Sequence, residues 1–175
     1  MKFCVSLLIG LWGLVGSCVW AQADPDEMTA EVLGVYFTPP ANAAAAIVKA
    51  IDGSEHQILV QAYGFTHNAI AQALIRAHQR GVEVRVLLDR KSQISNRYVI
   101  DALSDAHIEL RQDGKHAIAH NKVMVIDRAI VITGSFNFTN SASTRNAENF
   151  LVLKSAALAE KYSRQWQNHW AHGVE

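Results

Sequence analysis

The stretch HNKVMVIDRAIVITGSFNFTNSAS (residues 120–143) places a histidine and a lysine two residues apart at the start of an apolar run, which ends in the small polar turn of Gly134 and Ser135. In a β-strand, residues i and i+2 point to the same face, so the side chains of His120 and Lys122 are predicted to share one face. A nucleophile or base would then stand beside a fixed positive charge. That pairing suits chemistry on an anion.

The chain around this stretch alternates strand and helix patterns. Strands are predicted at 31–37, 57–65, 82–89, 107–112 and 149–155, with two more on either side of a tight hairpin at Asp127-Arg128. Helices are predicted at 42–53, 67–81, 96–106 and 156–171. Because helical segments of about 10–15 residues alternate with strands, the expected fold class is α/β, a mixed β-sheet flanked by helices on both faces.

The closing helix carries a stripe of large apolar residues at a spacing of four: Leu158, Tyr162, Trp166 and Trp170. This spacing places them on one helix face, which is typical of a core or of a subunit interface. The stripe is therefore not interpreted as a binding site.

The first 23 residues are typical of a secretory signal peptide, with Lys2, an apolar segment of about a dozen residues and the terminal Ala21-Gln22-Ala23. The apolar segment is too short for a confident transmembrane helix. Cleavage after Ala23 would leave 24–175, or 175 − 23 = 152 residues, as a single domain. The predicted mature protein is exported, periplasmic if the source is a bacterium, without stable membrane association. In a eukaryote the same segment would be an organelle or membrane anchor.

Both cysteines, Cys4 and Cys18, fall inside the predicted signal segment. The mature chain would therefore need no disulfide. An alternative interpretation makes Cys18 the lipidated first residue of a lipoprotein, since the sequence LVGSC precedes the Ala-Gln-Ala site.

The charge is balanced, with 16 basic and 16 acidic residues and a formal net charge of zero. A neutral chain does not exclude a nucleic-acid partner, but phosphates would need a local patch. Arg85, Arg90, Lys91 and Arg97 lie close enough in sequence to form one. An ordinary solvated loop is equally compatible with them.

Six positions of the opening stretch fit the pattern H-x-K-x4-D-x6-G-S-x-N: His120, Lys122, Asp127, Gly134, Ser135 and Asn137. This array resembles the signature of the phospholipase D superfamily. The resemblance extends to AYGFT (62–66) followed by residues 70–89, which together resemble the superfamily's upstream strand–helix–strand, and to Glu148 downstream. Size, signal segment and a single motif make the chain most similar to the small bacterial EDTA-resistant endonucleases of that superfamily, and imply a phospholipase D-like sandwich.

The resemblance fits a catalytic role for four residues. His120, when neutral, can attack phosphorus and form a phosphohistidine. Lys122 offers an ammonium, and Asn137 an amide, to the non-bridging phosphate oxygens. The Ser135 hydroxyl is a further candidate for binding phosphate. Glu148 is a candidate to hold the far nitrogen of a histidine and so fix its tautomer.

Two other motif positions are predicted to be structural. Gly134 permits a close approach of backbone. Asp127 lies at the far end of a strand about 20 Å long, which is too far from His120 for direct catalysis. The resemblance likewise implies structural support for Asp127.

A phosphodiester displacement needs a nucleophile on one side and a general acid on the other, but one motif supplies one histidine. A two-fold homodimer would bring both copies of His120 to one site, and the resemblance implies the same arrangement. No metal or cofactor is predicted, because Lys122 supplies the charge that magnesium supplies elsewhere. A His/Asp metal site is the alternative. The remaining histidines are interpreted as surface, loop or helix-end residues, His116 among them in the loop before the motif and close to substrate.

Three functions remain open. The first is an exported, metal-independent nuclease that cleaves DNA, with RNA left open, through contacts to phosphates. The second is a phospholipase D-type lipid phosphodiesterase or transphosphatidylase, which would be expected to show an exposed apolar loop or interfacial helix. The third is a binding module that keeps the fold, which the intact set of His120, Lys122, Asn137 and Glu148 disfavours.

Overall fold

The computed structural model describes residues 28–39 and 42–174. The predicted signal segment 1–23, with both cysteines, lies outside these residues. No helix in the described part of the chain combines the length and the apolar character needed to span a membrane.

Within the described ranges the chain forms seven strands, five α-helices and one 3-10 turn. Their order is β1 (Glu31–Thr38), α1 (Ala43–Asp52), β2 (Gln57–Ala62), α2 (Asn68–Gln79), β3 (Glu83–Asp89), the 3-10 turn Arg90–Ser92, α3 (Gln93–Asp105), β4 (Glu109–Asp113), β5 (Lys122–Ile126), β6 (Ile130–Gly134), α4 (Asn140–Thr144), β7 (Glu148–Lys154) and α5 (Ala156–Trp170).

All seven strands belong to one mixed sheet in the order β1-β7-β6-β5-β2-β3-β4. β2, β3 and β4 are parallel, whereas β5, β6, β7 and β1 each pair with their neighbours in antiparallel fashion. One core cluster lies between the sheet and α1, α2 and α3, and a smaller cluster joins the sheet to α5. The predicted α/β sandwich with helices on both faces is confirmed.

The aromatic stripe of α5 forms the smaller core. Trp166 and Trp170 are buried and stack with ring centroids 4.6 Å apart, and Leu158 and Tyr162 pack at its border. The Trp166 indole N–H also donates to the Val60 carbonyl at 2.9 Å, so the buried ring leaves no unpaired donor. The core interpretation of the stripe is confirmed.

The ends of the elements follow local signals. The Asn42 side chain accepts the Ala45 N–H and begins α1, and Gly53 ends it, as predicted. Asp127 and Arg128 have positive φ angles of 52° and 54° and form the tight turn between β5 and β6. The predicted hairpin is therefore confirmed.

Several elements differ from the sequence prediction: β2 ends at Ala62 instead of 65, α2 is shorter than 67–81, and the start of α3 and the whole of α4 were not predicted. α3 begins at Gln93 instead of 96, because the Asp89 carboxylate accepts the N–H groups of Lys91 and Ser92 and starts the turn early. The short helix α4 was predicted as a polar turn. Its N-cap is Thr139, whose side chain accepts the Ala142 N–H.

Candidate active site

The predicted site residues meet at one edge of the sheet. β5 runs antiparallel to β2, so its first residue, Lys122, pairs with Ala62 at the last position of β2. β6 ends at Gly134 and β7 begins at Glu148, which pairs with Thr38 at the end of β1. The topology therefore brings 120–122, 134–137 and 148 to the same side of the molecule.

His120 and Lys122 differ sharply in exposure. His120 is exposed just before β5, whereas Lys122 is only 7% exposed. The Lys122 ammonium donates to the His120 carbonyl at 2.7 Å. Tyr63 lies between them, with its ring centroid 4.8 Å from that of His120 and 5.6 Å from the Lys122 Nζ atom. A buried cation thus binds the backbone of an exposed histidine, and the Tyr63 ring contacts both side chains.

The charge of Lys122 is balanced between two opposing effects. Burial lowers the pKa of its ammonium, because desolvation disfavours the charged form, and the negative charge of Glu148 raises that pKa in part. Glu148 therefore helps to keep positive charge at the place where an anion would bind.

A second group of polar side chains lies beside this pair. The Gly64 N–H donates to the Asn137 Oδ1 atom at 3.3 Å, which leaves the amide Nδ2 group to donate to a ligand. The Ser135 hydroxyl donates to Glu148 Oε2 at 2.6 Å and accepts the Asn149 N–H at 3.1 Å. Asn137 and Ser135 are thereby held in fixed orientations.

Glu148 is bonded within its own loop. Ser135 donates to one carboxylate oxygen, and the Asn146 side-chain amide donates to the other at 3.1 Å. Neither contact involves His120 of the same chain. The predicted role of Glu148 as the carboxylate that holds a histidine is not fulfilled within one chain.

Gly134 stands where no side chain fits. A Cβ atom there would lie 2.6 Å from the Phe150 Cα atom and against the Asn149 carbonyl oxygen. The absence of a side chain lets β6 and β7 approach closely, and this approach positions Ser135 next to Glu148.

Asp127 lies at the opposite end of β5 from the other motif residues. Its carboxylate accepts the backbone N–H groups of Glu55, His56 and Gln57 at 2.7–2.9 Å. Burial raises the pKa of Asp127, but these hydrogen bonds outweigh burial and lower it overall. The carboxylate ties the β5–β6 turn to the segment before β2.

Two residues that position the site were not singled out in the sequence. Asp89, 1% exposed, accepts the Ala119 N–H at 2.7 Å and so fixes the backbone directly before His120. Asn96, fully buried, accepts the Phe65 N–H at 2.9 Å and donates to the Tyr63 carbonyl at 2.8 Å. A signal for Asp89 exists, since an acidic residue directly after a buried parallel strand lies at the edge where such sheets hold their sites.

The proposed basic patch does not form as a group of four. The Arg85 guanidinium binds Glu83 at 2.8 Å and Glu109 at 3.0 Å. Arg90 and Lys91 are exposed beyond the end of β3, at the site edge. They are the basic residues of the set that remain adjacent to the site.

The fold and the residues gathered at this sheet edge agree with the family comparison. A family model described as "Cardiolipin synthase, PLD-like domain" matches residues 47–170. The chain therefore belongs to the phospholipase D superfamily, and it is a phosphodiester hydrolase of that superfamily.

Individual proteins are similar to this chain in sequence, in fold or in both. Phospholipase D of Rickettsia felis is 44% identical over 145 residues, which are 83% of this chain and 72% of that protein. The crystal structure of Nuc from Salmonella typhimurium, a phospholipase D family member, matches with a TM-score of 0.78 and 34% identity over 85% of this chain and 97% of Nuc. NucT from Helicobacter pylori matches in fold, with a TM-score of 0.75 and 23% identity over 85% of this chain and 99% of NucT.

Proposed function

We propose that this protein is a metal-independent endonuclease that cleaves DNA, with RNA as a second candidate substrate, through a covalent phosphohistidine at a site shared across a homodimer. The observation that carries the proposal is the open sheet edge. There the buried Lys122 ammonium binds the backbone of exposed His120, and Asn137 is bound by Gly64, next to the Tyr63 ring that contacts His120. An exposed nucleophile suits a phosphodiester within a long polymer, which could not enter a closed pocket.

The proposed first step is a displacement at phosphorus. A neutral His120 nitrogen attacks, a P–N bond forms, and the P–O bond to the leaving oxygen breaks as that oxygen takes a proton from the partner's His120. In the second step the partner's His120 accepts a proton from water, the water oxygen bonds to phosphorus, and the P–N bond breaks. The partner's His120 therefore acts first as the acid and then as the base, while His120 is the nucleophile and then the leaving group. The starting state needs one neutral and one protonated imidazole, so the protonation belongs to the pair.

Lys122 and Asn137 would stabilise the charge that develops on the non-bridging oxygens. The Lys122 ammonium is preorganised, since burial and its bond to the His120 carbonyl restrict it to one position. Preorganised donors of this kind stabilise a transition state more than mobile ones do, because no reorganisation is needed during the reaction.

The homodimer accounts for two features of the single chain. It supplies the second histidine that one motif lacks. It also gives Glu148 an imidazole to hold: within its own chain this carboxylate bonds Ser135 and Asn146, so we assign its proposed orienting role to the partner's His120.

The choice of nucleic acid rests on two supports. The chain covers 97% of Nuc, so the two proteins share the size and fold of one small domain, as expected for the small endonucleases that the sequence resembles. Arg90 and Lys91 are exposed at the same edge as His120 and are suited to contact neighbouring phosphates. Contacts to phosphates without base recognition give cleavage with little sequence preference.

A lipid phosphodiesterase is the second candidate, and a specific observation favours it. Ile94 and Tyr98 on α3 are 91% and 63% exposed, and Ile118 before His120 is 50% exposed. These apolar side chains follow the ends of β3 and β4, on the site edge, where they could enter a bilayer interface. The Rickettsia felis relative is named phospholipase D.

The test uses the proposed mature chain, 24–175, with His120→Ala beside it. Plasmid DNA, single-stranded DNA, RNA and phosphatidylcholine vesicles are incubated with each in excess EDTA. We expect nucleic-acid cleavage that falls at least about 10³-fold in the variant, and a dimer in sedimentation. Hydrolysis of the lipid alone would replace the first candidate by the second. Full activity in His120→Ala would overturn the mechanism, and a fully active monomer would overturn the shared site.

We further propose export, on the basis of the signal-like sequence at 1–23. The mass of the protein recovered from the periplasmic and membrane fractions of a bacterial host distinguishes the two forms that the sequence leaves open. Cleavage after Ala23 gives an unmodified chain, whereas lipidation would leave Cys18 as a modified first residue.

A further inference from the structure

A cluster of metal-ligand side chains lies apart from the residues assigned to catalysis. It consists of Asp113, His116, His169 and His172, and its four candidate ligand atoms all lie within 4.8 Å of one another. Asp113 ends β4, His116 follows in the loop, His169 is in the last turn of α5, and His172 follows that helix. The sequence interpretation of these histidines as ordinary surface, loop or helix-end residues gave no hint that they converge.

The three imidazoles converge on one carboxylate. Nδ1 of His116 and Nδ1 of His169 each lie 2.9 Å from Asp113 Oδ2, and Nε2 of His172 lies 3.3 Å from Asp113 Oδ1. The rings of His116 and His169 stack at 4.5 Å. The Asp113 side chain is fully buried, whereas His116 is 43% exposed, so the cluster is reachable from solvent on one side.

Hydrogen bonds within the cluster satisfy Asp113 but leave one buried imidazole nitrogen without a partner. Burial raises the pKa of Asp113, but the contacts from His169, His116, the Lys115 backbone and His172 outweigh it and hold that pKa well below its usual range. The His172 contact is the weakest of these: its buried Nε2 atom lies 3.3 Å from Asp113 Oδ1 without the geometry of a hydrogen bond to the described residues. A buried nitrogen without a partner costs about 1–3 kcal/mol, and a bound cation would give its lone pair a partner.

The backbone around the cluster is already fixed. The Gln112 and Val174 backbones pair through two hydrogen bonds of 2.6 and 3.0 Å. Arg111 donates to the Trp170 carbonyl at 3.1 Å and lies over the Trp170 ring. The ends of β4 and α5 are therefore held together independently of any ion, and the ligand atoms are preorganised.

We propose that Asp113, His116, His169 and His172 form a binding site for one divalent transition-metal ion, with Zn²⁺ as the preferred ion. Three imidazole nitrogens and one carboxylate oxygen make a complete tetrahedral set, which is the arrangement of a structural zinc site. Nitrogen-rich ligands disfavour Mg²⁺ and Ca²⁺, which prefer oxygen. Closing the four atoms onto an ion at zinc distances needs shifts on the order of 1 Å.

The ion would act on the structure and not on the phosphodiester. None of its four ligands belongs to the set of His120, Lys122, Asn137 and Glu148. It would bind the loop 114–121, which leads to His120, to the C-terminal end of α5. The proposal is therefore compatible with turnover in EDTA and independent of the substrate that the enzyme cleaves.

Gln165 supplies the outer contact of the site. Its side-chain amide lies 2.9 Å from His169 Nε2, on the ring atom opposite the one that faces Asp113. For His169 to bind a metal through Nδ1, Nε2 must carry the proton and Gln165 must accept it through its amide oxygen. Such outer contacts fix the tautomer of the ligand.

The test uses the proposed mature chain without a polyhistidine tag, stripped with EDTA, dialysed and titrated with ZnCl₂. Calorimetry and metal analysis give stoichiometry and affinity, and thermal unfolding with and without zinc gives the Tm. We expect one zinc per chain and a Tm increase of about 5 °C or more at saturating zinc. The variant Gln165→Ala should bind zinc with an affinity about tenfold lower, or lower still.

The variants His116→Gln and His172→Gln should lose the stoichiometric ion and the Tm response. His56→Gln is the matched control, because the His56 side chain is 80% exposed and outside the cluster; it should respond as the wild type does. No Tm response in the wild type, or an equal response in His116→Gln, would overturn the proposal. His116 is partly exposed, so this single variant is decisive even where His172→Gln fails to fold.

Discussion

The two ends of β5 perform different tasks although one motif contains both. At the first end lie exposed His120, the proposed nucleophile, and buried Lys122, the proposed cation for the phosphate. At the other end, Asp127 faces inward and accepts three backbone N–H groups. Between them five consecutive buried residues, Lys122–Ile126, run through the centre of the sheet.

This contrast shows that two charged residues of one motif can be charged for opposite reasons. The Asp127 carboxylate is stabilised by the hydrogen bonds that it receives, and its pKa is lowered. The Lys122 ammonium has lost water, and its pKa is lowered because burial disfavours its charge. The Asp127 charge therefore stabilises the folded state. The Lys122 charge costs desolvation free energy, and its benefit lies in the proposed function. Three substitutions separate these roles.

Lys122→Met should have the largest effect. It keeps the length and apolar stem of the side chain but removes the ammonium, and we expect cleavage to fall by about 10²–10³-fold. Stability should be unchanged or higher, since a desolvated charge is removed. Steady-state kinetics with thermal unfolding measure both, and Lys161→Met on the exposed face of α5 is the control. A variant that unfolds but retains activity per folded molecule would contradict the assignment.

Asp127→Asn should have an intermediate effect, and it should reduce stability and not activity, the reverse of Lys122→Met. The asparagine NH₂ group would face at least one backbone N–H, so we expect a loss of about 1–3 kcal/mol of folding free energy. Activity per folded molecule should stay near the wild-type value. Denaturant unfolding measures the loss, with exposed Asp105→Asn as the control.

The difference between wild type and Asp127→Asn should also depend on pH. The folded pKa of Asp127 lies below its ordinary value of 3.8, so the stabilisation is complete above that value and is lost as the pH falls through the folded pKa. A difference that grows on acidification would contradict the role of the carboxylate.

Glu148→Gln should have the smallest effect at neutral pH and the most informative one at alkaline pH. Removing the negative charge disfavours the protonated form of Lys122 and lowers its pKa further. The alkaline limb of the kcat/KM profile should therefore move to lower pH, whereas Glu160→Gln should leave it in place. A loss of activity at all pH values, added to this shift, would measure the separate orienting role proposed for Glu148 toward the partner's His120. An alkaline limb that does not move would contradict the electrostatic effect of Glu148 on Lys122.

Much of the fold was predictable because its signals are local. Apolar alternation, Asn42 and Gly53 bound their elements correctly, and the spacing of Trp166 and Trp170 identified the second core. The start of α3 and the whole of α4 were not predicted. Both depend on side-chain caps, Asp89 and Thr139, that are ordinary polar residues until the backbone turns around them.

The site was predictable to a similar degree. The motif residues other than Asp127 gather at one edge, but Tyr63, Asp89 and Asn96 complete it from two other segments. The partners of Glu148 were not foreseen, since Ser135 and Asn146 reach it through the geometry of one loop. Arg85 left the expected basic patch because Glu109 on the neighbouring strand binds it.

The sequence by itself determined the elements, the superfamily and the chemical types of the site residues, because these follow from periodicity and from a spaced motif within one stretch of chain. Tertiary structure decided which charges are buried and which side chains meet. Asp113 and His169 are 56 positions apart in sequence but 2.9 Å apart in space. Their contact exists only because β4 and the end of α5 pack together, and no local pattern encodes that packing.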